Sequence, residues 1–196
     1  IEGSGSEVSA AFTAIDTNTG GARANVTGND YTVDHLKSIA GSTSGAITLA
    51  NAAVALSDIS SDYVTAFFNL ATTHTGTVAI TNADYTLDQL KTINNKSTGA
   101  ITLSTTDVAF SGNSTDLAAA LDGTINYSGA VTITNNDYTA AELKTINDGT
   151  TGAITILNDP ATTQLQAINN VTSGSITLSN ETPALSGTSS QIIEAL

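Results

Sequence analysis

Short alternations of apolar and small or polar residues recur along the chain, most of them just after a glycine. After Gly45, Ile47 and Leu49 alternate with Ala46 and Thr48. A period of two, rich in β-branched residues, is typical of a β-strand with one buried face. The pattern recurs at 78–80, 101–103, 131–133, 154–156 and 176–178, with a weaker version at 23–26. The sequence therefore predicts seven strands, the six stronger of them in one parallel sheet with isoleucine and leucine inward.

A second pattern, with apolar residues three positions apart, predicts a short helix. Leu36 and Ile39 form one apolar stripe, and Thr32 precedes it where an N-cap belongs. The segment that starts at Asp30 is repeated almost word for word from Asp84 and from Asp137, and we name the three resulting helices the A helices. Their cap and stripe residues are Thr86, Leu90 and Ile93 in the second and Thr139, Leu143 and Ile146 in the third.

A third recurring segment predicts another helix between the A helices. Leu56 follows Leu49 by seven residues, and Ser60 stands four residues later, where it would cap a helix with Tyr63 and Phe67 inward. We name these segments the B helices. The corresponding residues are Phe110, Ser114, Leu117 and Leu121, and later Leu185, Ser189, Ile192 and Leu196.

The spacing of these segments shows that the sequence repeats itself. Tyr31, Tyr85 and Tyr138 lie 54 and 53 residues apart, and self-similarity at a fixed period indicates a repeat architecture. Because helices and strands alternate with short connections, consecutive strands should be parallel. We expect an α/β repeat solenoid, with a parallel β-sheet on one side and short helices on the other. Residues 1–196 would form a single solenoid array of alternating A and B repeats.

The ends of the sequence carry a separate expectation. Residues 1–6 are typical of a linker or a cloning remnant, and no strand follows the last B helix. Soluble solenoids need polar capping repeats, so we expect an excerpt of a longer array whose ends contact neighbouring repeats or identical chains. Head-to-tail stacking of copies would build filaments. The residues expected to be exposed at these ends are Val8, Phe12, Ile192 and Leu196.

Composition and charge argue against several classes of partner. The chain has 18 Asp and Glu against 5 Lys and Arg, a formal net charge of −13. Nucleic acids and anionic membrane surfaces both recruit basic patches, so neither is expected as a partner. No apolar run is long enough to insert into a membrane. Cysteine is absent, which rules out disulfides and thiolate metal sites.

Candidate catalytic residues are few. The two histidines are His35, expected on a solvated helix face, and His74, expected in a threonine-rich loop. Neither stands in a recognisable nucleophile–base–orienter arrangement, and no phosphate-binding loop or metalloprotease motif occurs. The sequence predicts no catalytic residue, no cofactor and no enzyme activity.

Calcium is the metal that the sequence could best accommodate. Asp30, Asp84 and Asp137 each end a polar strand-to-helix corner. Calcium takes six to eight oxygen ligands, usually including several carboxylates, and one aspartate per repeat is a poor match. The alternative is that these residues close turns and precede helix caps. We favour that alternative and keep the three aspartates as weak calcium candidates.

A file of threonines on the outward side of the expected sheet suggests a further alternative, an ice-binding surface. Threonine also has a high strand propensity, and cross-strand threonine pairs are mildly stabilising. Asn25 and Ala79 interrupt the file, which weakens this hypothesis. Its members are Thr48, Thr102, Thr132, Thr155 and Thr177.

The repeated phrases resemble repeats of very large bacterial proteins, particularly cyanobacterial ones, that are secreted or held at the cell surface. The resemblance is carried by 84–94 with 98–103 and by 137–147 with 151–156. It implies an extracellular or cell-surface location and a role as stalk, coat or adhesive array, and it transfers no catalytic residue. We therefore expect a non-enzymatic structural or adhesive repeat segment. A calcium-dependent adhesion module and an ice-binding threonine ladder remain as alternatives.

Overall fold

The structure, a computed structural model, describes residues 1–15, 20–123, 125–157 and 176–178. Six helices and ten short strands lie in these residues. In chain order they are β1 (Glu2–Gly3), α1 (Gly5–Ala14), β2 (Ala24–Val26), α2 (Val33–Ser42), β3 (Ile47–Leu49), β4 (Leu56–Asp58), α3 (Ser60–Ala66), β5 (Val78–Ile80), α4 (Leu87–Asn94), β6 (Ile101–Leu103), β7 (Phe110–Gly112), α5 (Ser114–Leu121), β8 (Val131–Ile133), α6 (Ala140–Gly149), β9 (Ile154–Ile156) and β10 (Ile176–Leu178).

The element order is the same in three consecutive parts of the chain. Each part runs strand, B helix, strand, A helix, strand, where α1, with Val8 and Phe12 inward, is the B helix of the first part. We name these parts the first block (2–49), the second block (56–103) and the third block (110–156). Each block builds its own sheet, in the orders β1-β2-β3, β4-β5-β6 and β7-β8-β9, with β10 added beside β9. Every pairing between these strands is parallel. The fold is therefore a mixed α/β arrangement with small parallel sheets.

The chain divides into two compact units. The first consists of Ile1–Tyr85 with Thr92–Ser104, and the second of Thr86–Lys91 with Thr105–Leu196. Sheets β1-β2-β3 and β4-β5-β6 belong to the first unit, and sheet β7-β8-β9-β10 belongs to the second. Helix α2 packs against α1 and α3 in the first unit, and α5 packs against α6 in the second.

The six predicted strand positions are confirmed, but the prediction of one continuous sheet is wrong. Strands β4 and β7, which the sequence pattern did not reveal, each begin a new sheet. Only residues 50–55 separate β3 from β4, and only 104–109 separate β6 from β7. A parallel neighbour needs a crossover of a dozen or more residues, so the chain cannot place β4 beside β3 and starts a separate sheet.

The A-helix caps are confirmed. The Thr32 hydroxyl accepts a hydrogen bond from the His35 backbone N–H. Thr139 and Glu142 form a complete capping box, in which each side chain accepts from the other residue's backbone N–H. In α4 the equivalent pair is Thr86 and Gln89, with bonds of 3.3 and 2.9 Å. The local sequence was sufficient for these helix starts.

The B-helix caps were predicted one residue too late. Ser60 and Ser114 are the first helical residues of α3 and α5, not the caps. The cap of α5 is Asn113, whose side chain accepts from the Asp116 N–H, while Ile59 caps α3 without a side-chain bond. Both serines are fully buried, which places them under neighbouring chain rather than at a solvated helix entrance.

The predicted apolar stripes form the core. Within the described residues, the inward positions of the A and B helices are all buried: Leu36, Ile39, Tyr63, Phe67, Leu90, Ile93, Leu117, Leu121, Leu143 and Ile146. So are the inward residues of β2, β3, β5, β6 and β8, namely Ala24, Val26, Ile47, Leu49, Val78, Ile80, Ile101, Leu103, Val131 and Ile133.

The predicted exposure of the first end is wrong. Val8 and Phe12 are buried because α1 packs on β1, β2 and α2. Residues 1–6, whose composition is typical of a linker, contain strand β1 and the α1 cap Ser4, which forms a capping box with Glu7. Ile192 and Leu196 lie outside the described residues, as do the predicted cap Ser189 and the phrase at Leu185.

Glycine stands two residues before β3, β5, β6, β8 and β9 because successive chain segments touch there. A Cβ on Gly99 would overlap the carbonyl oxygen of Gly76, and a Cβ on Gly152 would overlap that of Gly129. Any larger residue at these positions would push adjacent strands apart. The glycines thus maintain the normal strand spacing of about 4.8 Å.

Inward and outward positions of one strand should respond differently to the same substitution. Ile101 in β6 is 2% exposed and Thr102 is exposed. We expect Ile101→Asp to cost about 3–5 kcal/mol of unfolding free energy, because it buries an unpaired carboxylate. Thr102→Asp should cost less than about 1 kcal/mol. Urea unfolding followed by circular dichroism measures both, and equal losses would contradict the assigned strand faces.

Candidate functional site

The calcium candidates have structural partners. Asp84 Oδ1 accepts from the Asn82 side-chain amide at 2.7 Å, and Asp137 accepts equivalently from Asn135 at 2.6 Å. Asp30 caps the start of α1, accepting from the Gly5 N–H at 3.0 Å and from the Ser6 hydroxyl at 3.1 Å. The Gly5 bond is the main reason that the pKa of Asp30 is lowered. Each of the three aspartates therefore accepts hydrogen bonds within a turn or at a helix start.

In the second and third blocks, a reciprocal asparagine–serine pair joins the B helix to the strand-to-helix corner that follows it. In the third block, Asn135 Oδ1 accepts from the Ser114 N–H at 2.8 Å, and Asn135 Nδ2 donates to Ser114 Oγ at 3.0 Å. Asn82 and Ser60 form the same two bonds in the second block, at 2.8 and 3.0 Å. The asparagine thus supplies the polar partner that a buried helix start needs.

The first block replaces this pair with a different residue. Gly28 stands where the other blocks have asparagine, and Gly5 stands where they have serine. Asp30 then takes the position of the missing amide, since a Cβ on Gly28 would overlap Asp30 Oδ1. The chemistry differs, but in all three blocks a side-chain oxygen accepts from the first N–H of the B helix.

Lysines on two A helices bind acidic residues of the next B helix. Lys37 Nζ lies 2.6 Å from Asp62 and 3.5 Å from Asp34. Lys91 lies 2.8 Å from Asp116 and 3.3 Å from Asp88. The hydrogen bond to Asp62 is the main cause of the raised pKa of Lys37, and that to Asp116 is the main cause for Lys91.

The lysines stand at equivalent positions of the A helices, but α2 and α6 extend further beyond them than α4 does. Lys37 is therefore mid-helix, and only Lys91 lies in a last turn. Lys144 pairs with Asp148 of its own helix. The first two lysines act as clamps between helices, a role that depends on tertiary structure and not on the helix dipole.

The carboxylates of Asp34, Asp58 and Asp62 form a cluster that the sequence did not predict. Their oxygens lie within 4.8 Å of one another, close enough in principle to share a cation. The Lys37 ammonium group already contacts two of them. A calcium ion at 2.3–2.6 Å from the same oxygens would have to displace it. Lys37 therefore compensates part of the negative charge of the cluster within the fold.

The outward threonines do not form one file. Thr48 lies beside Asn25 in the first sheet, and Thr102 beside Ala79 in the second. Only Thr132 and Thr155, on β8 and β9, are adjacent within a sheet, with position 177 in register on β10. The continuous ladder predicted from the sequence is wrong, because the strands belong to three sheets.

His74 lies in the expected loop, between α3 and β5, and it is buried there. Its relative exposure is 0%, and its Nε2 lies 3.0 Å from the Val54 carbonyl oxygen. Since a carbonyl can only accept, Nε2 carries the proton. The ring packs against Phe67 at a centroid distance of 5.6 Å. Burial, the largest influence, lowers the pKa of His74.

Tyr127 occupies the equivalent position in the third block. Its hydroxyl donates to the carbonyl oxygen of Val108, which corresponds to Val54, and its ring stacks on Phe110 at 5.0 Å. A buried ring donor therefore satisfies the same backbone carbonyl in both blocks. The sequence signal was the spacing of 53 residues between His74 and Tyr127, which is the spacing of the A-helix tyrosines.

No catalytic arrangement is present in the described part of the chain. Neither imidazole bonds to a carboxylate or a serine there. His35 is half-buried rather than fully solvated, and its Nδ1 makes no hydrogen bond to a described residue. An open hollow of 350 Å³ near Phe68 is lined by alanine, glycine, serine, threonine and asparagine and contains no titratable side chain. The described residues thus offer no converging nucleophile and base.

Comparisons with protein-family models, curated proteins and solved structures found no match. The resemblance to bacterial surface repeats thus gains no support from them. Among the described residues, no helix has both the length and the hydropathy required to cross a membrane.

The asparagine–serine pair yields a test with a neighbouring control. We expect Asn135→Ala to lower the free energy of unfolding by about 1–3 kcal/mol, because the buried Ser114 N–H loses its acceptor. The adjacent Asn136 is exposed, and Asn136→Ala should stay within about 0.5 kcal/mol. Thermal and urea unfolding of both variants measure these changes in stability. Equal stability of the two variants would remove the structural role assigned to Asn135.

Proposed function

We propose that this chain is a non-enzymatic structural or adhesive segment of a secreted or cell-surface protein, with its blocks arranged as a solenoid. The observation that supports the proposal is that the same polar and backbone contacts recur in successive blocks. The asparagine–serine pairs, the lysine clamps and the glycines before strands all recur at block spacing. The asparagine, lysine and His74 side chains described above bind other segments of the chain.

Departures from the repeat also serve the scaffold. Where Gly28 removes an amide, Asp30 replaces it as acceptor for the B helix. Where the third block has Tyr127, the second has His74, and both donate to a backbone carbonyl. Selection for a ligand would leave at least one block with converging polar groups that the fold does not need. In the described blocks, a different residue instead makes the equivalent structural contact.

The proposed setting follows from chemistry and resemblance. A net charge of −13 favours a highly hydrated, soluble chain. The phrases at 84–103 and 137–156 resemble those of large bacterial surface proteins. Open sheet edges such as that of β1, which pairs on one side only within the described residues, are where further repeats or identical chains would add.

Removing one block should leave a chain that still folds. Deleting residues 51–104 removes β4 through β6 and joins Ala50 to Thr105, which repeats the step from Ser104 to Thr105 in the native chain. We expect cooperative unfolding with a lower free energy of unfolding than that of the full chain, because the remaining blocks each keep their own sheet. Urea unfolding followed by circular dichroism measures this. A deletion variant without cooperative unfolding would contradict the structural role proposed for the blocks.

Calcium should not stabilise the native chain. At 100 times its dissociation constant a bound ligand adds about 2.7 kcal/mol, so melting with and without millimolar calcium tests the calcium-dependent alternative. We expect no shift, because Lys37 occupies the one carboxylate cluster among the described residues. Lys37→Met is the matched variant: it should melt earlier and regain stability with calcium. A calcium shift in the native chain would favour the adhesion-module alternative.

The ice-binding alternative is tested by thermal hysteresis. We expect none, since the longest outward threonine run on described side chains is the pair Thr132 and Thr155. The matched substitution is Ala79→Thr, which restores a threonine beside Thr102. Thermal hysteresis in the native chain would show that the outward faces bind ice, and it would contradict the proposed structural role.

A further inference from the structure

We propose that His74 makes the first unit selectively sensitive to mild acid: protonation of its buried imidazole loosens the segment 70–76 from the segments at Val54 and Lys96. This inference goes beyond the structural role and does not depend on it. It rests on the burial of the ring, on the partners of its two nitrogens and on the distribution of histidine along the chain.

The imidazole is held as a neutral group. Nε2 donates to the Val54 carbonyl at 3.0 Å, and Nδ1 makes no hydrogen bond among the described residues. The backbone of the same residue is bound on both sides: its N–H donates to the Lys96 carbonyl at 2.9 Å, and its carbonyl accepts from the Thr98 N–H at 2.8 Å. A second proton on Nδ1 would create a buried charged donor.

The surroundings offer no anion that would compensate this charge. The ring contacts Phe67, the C-cap of α3. On α3 itself, the Tyr63 hydroxyl donates to the Ala79 carbonyl, and the Asp62 carboxylate is bound by Lys37. Residues 52–54 contain no titratable side chain. Lys96 is a cation whose ammonium donates to the Leu70 carbonyl at 2.9 Å.

The influences on the pKa of His74 are, in order, burial, which lowers it, and the Val54 and Gly76 carbonyls, which raise it more weakly. The folded-state pKa therefore lies below the ordinary value of 6.5. The neutral ring contributes its full stability above the unfolded pKa. That contribution is lost as the pH falls from 6.5 through the folded pKa, because only the unfolded or opened chain binds the proton there.

The third block shows that the histidine is not required by the fold. Tyr127 donates to the equivalent carbonyl and stacks on Phe110, yet a tyrosine does not titrate between pH 5 and 8. Both histidines of the chain, His35 and His74, lie in the first unit. The second unit therefore contains no histidine and serves as an internal control.

Other groups should not produce the same response. Glu7, Asp30 and Asp116 have pKa values lowered below their ordinary 4.5 and 3.8, mainly by hydrogen bonds from Ser4, Gly5 and Lys91 respectively. They lose their stabilising charge only at lower pH. A loss of stability between about pH 6.5 and pH 5 is thus assigned to histidine.

The test uses the full chain. Proton–carbon NMR of the two histidine Cε1–H signals, assigned with His35→Gln, should show His74 titrating below 6.5. Hydrogen exchange at about pH 7.5 and about pH 5, corrected for intrinsic rates, should reveal increased opening at 70–76 and 96–98 and no change in β8. The opening equilibrium should rise by about tenfold for each pH unit between 6.5 and the folded pKa.

His74→Tyr, which copies Tyr127, should abolish the acid response, and His35→Gln, which copies Gln89, should retain it. The proposal is overturned if His74 titrates at or above 6.5, if both units open equally at the lower pH, or if His74→Tyr keeps the response. Should His74→Tyr fail to fold, the titration of the unaltered chain decides alone.

Discussion

The close approach of backbone to backbone just before β3, β5, β6, β8 and β9 is the constraint on which the rest of this structure depends. Gly99 lies against the Gly76 carbonyl and Gly152 against the Gly129 carbonyl, with no room for a Cβ. This contact sets the parallel strands at one strand spacing. The apolar residues two and four positions later, such as Ile101 and Leu103, are then buried in register with those of the neighbouring strand.

Crossover length decides how these strands are distributed. Where an A or B helix separates two strands, the connection is long enough to return the chain beside the preceding strand, and a parallel pair results. Where only six residues intervene, as between β3 and β4, the pair cannot form and a new sheet begins. The same hydrophobic phrase therefore yields three small sheets, and side chains that look contiguous in sequence register, such as Thr48 and Thr102, are separated.

Polar side chains bind the backbone groups and charges that apolar burial leaves without a partner. Asn82 and Asn135 satisfy buried helix starts, Lys37 and Lys91 bind the next B helix, and His74 or Tyr127 donates to a carbonyl that would otherwise lack that partner. Most of these groups join residues more than 15 positions apart. These contacts between distant segments are the basis of the structural proposal.

The sequence by itself determined the local features: the six strands with the strong alternating pattern, the A helices with their threonine caps and the inward residues of both helix types. Each of these depends on periodicity or capping within one turn or strand, which short-range sequence encodes. Only the tertiary structure decided the number of sheets, the burial of Val8 and Phe12, the polar pairs of Ser60 and Ser114 and the environment of His74. These depend on which distant segments meet. The sequence around His74 is the same whether the ring is exposed or packed against Phe67. Only the tertiary structure shows that it is buried.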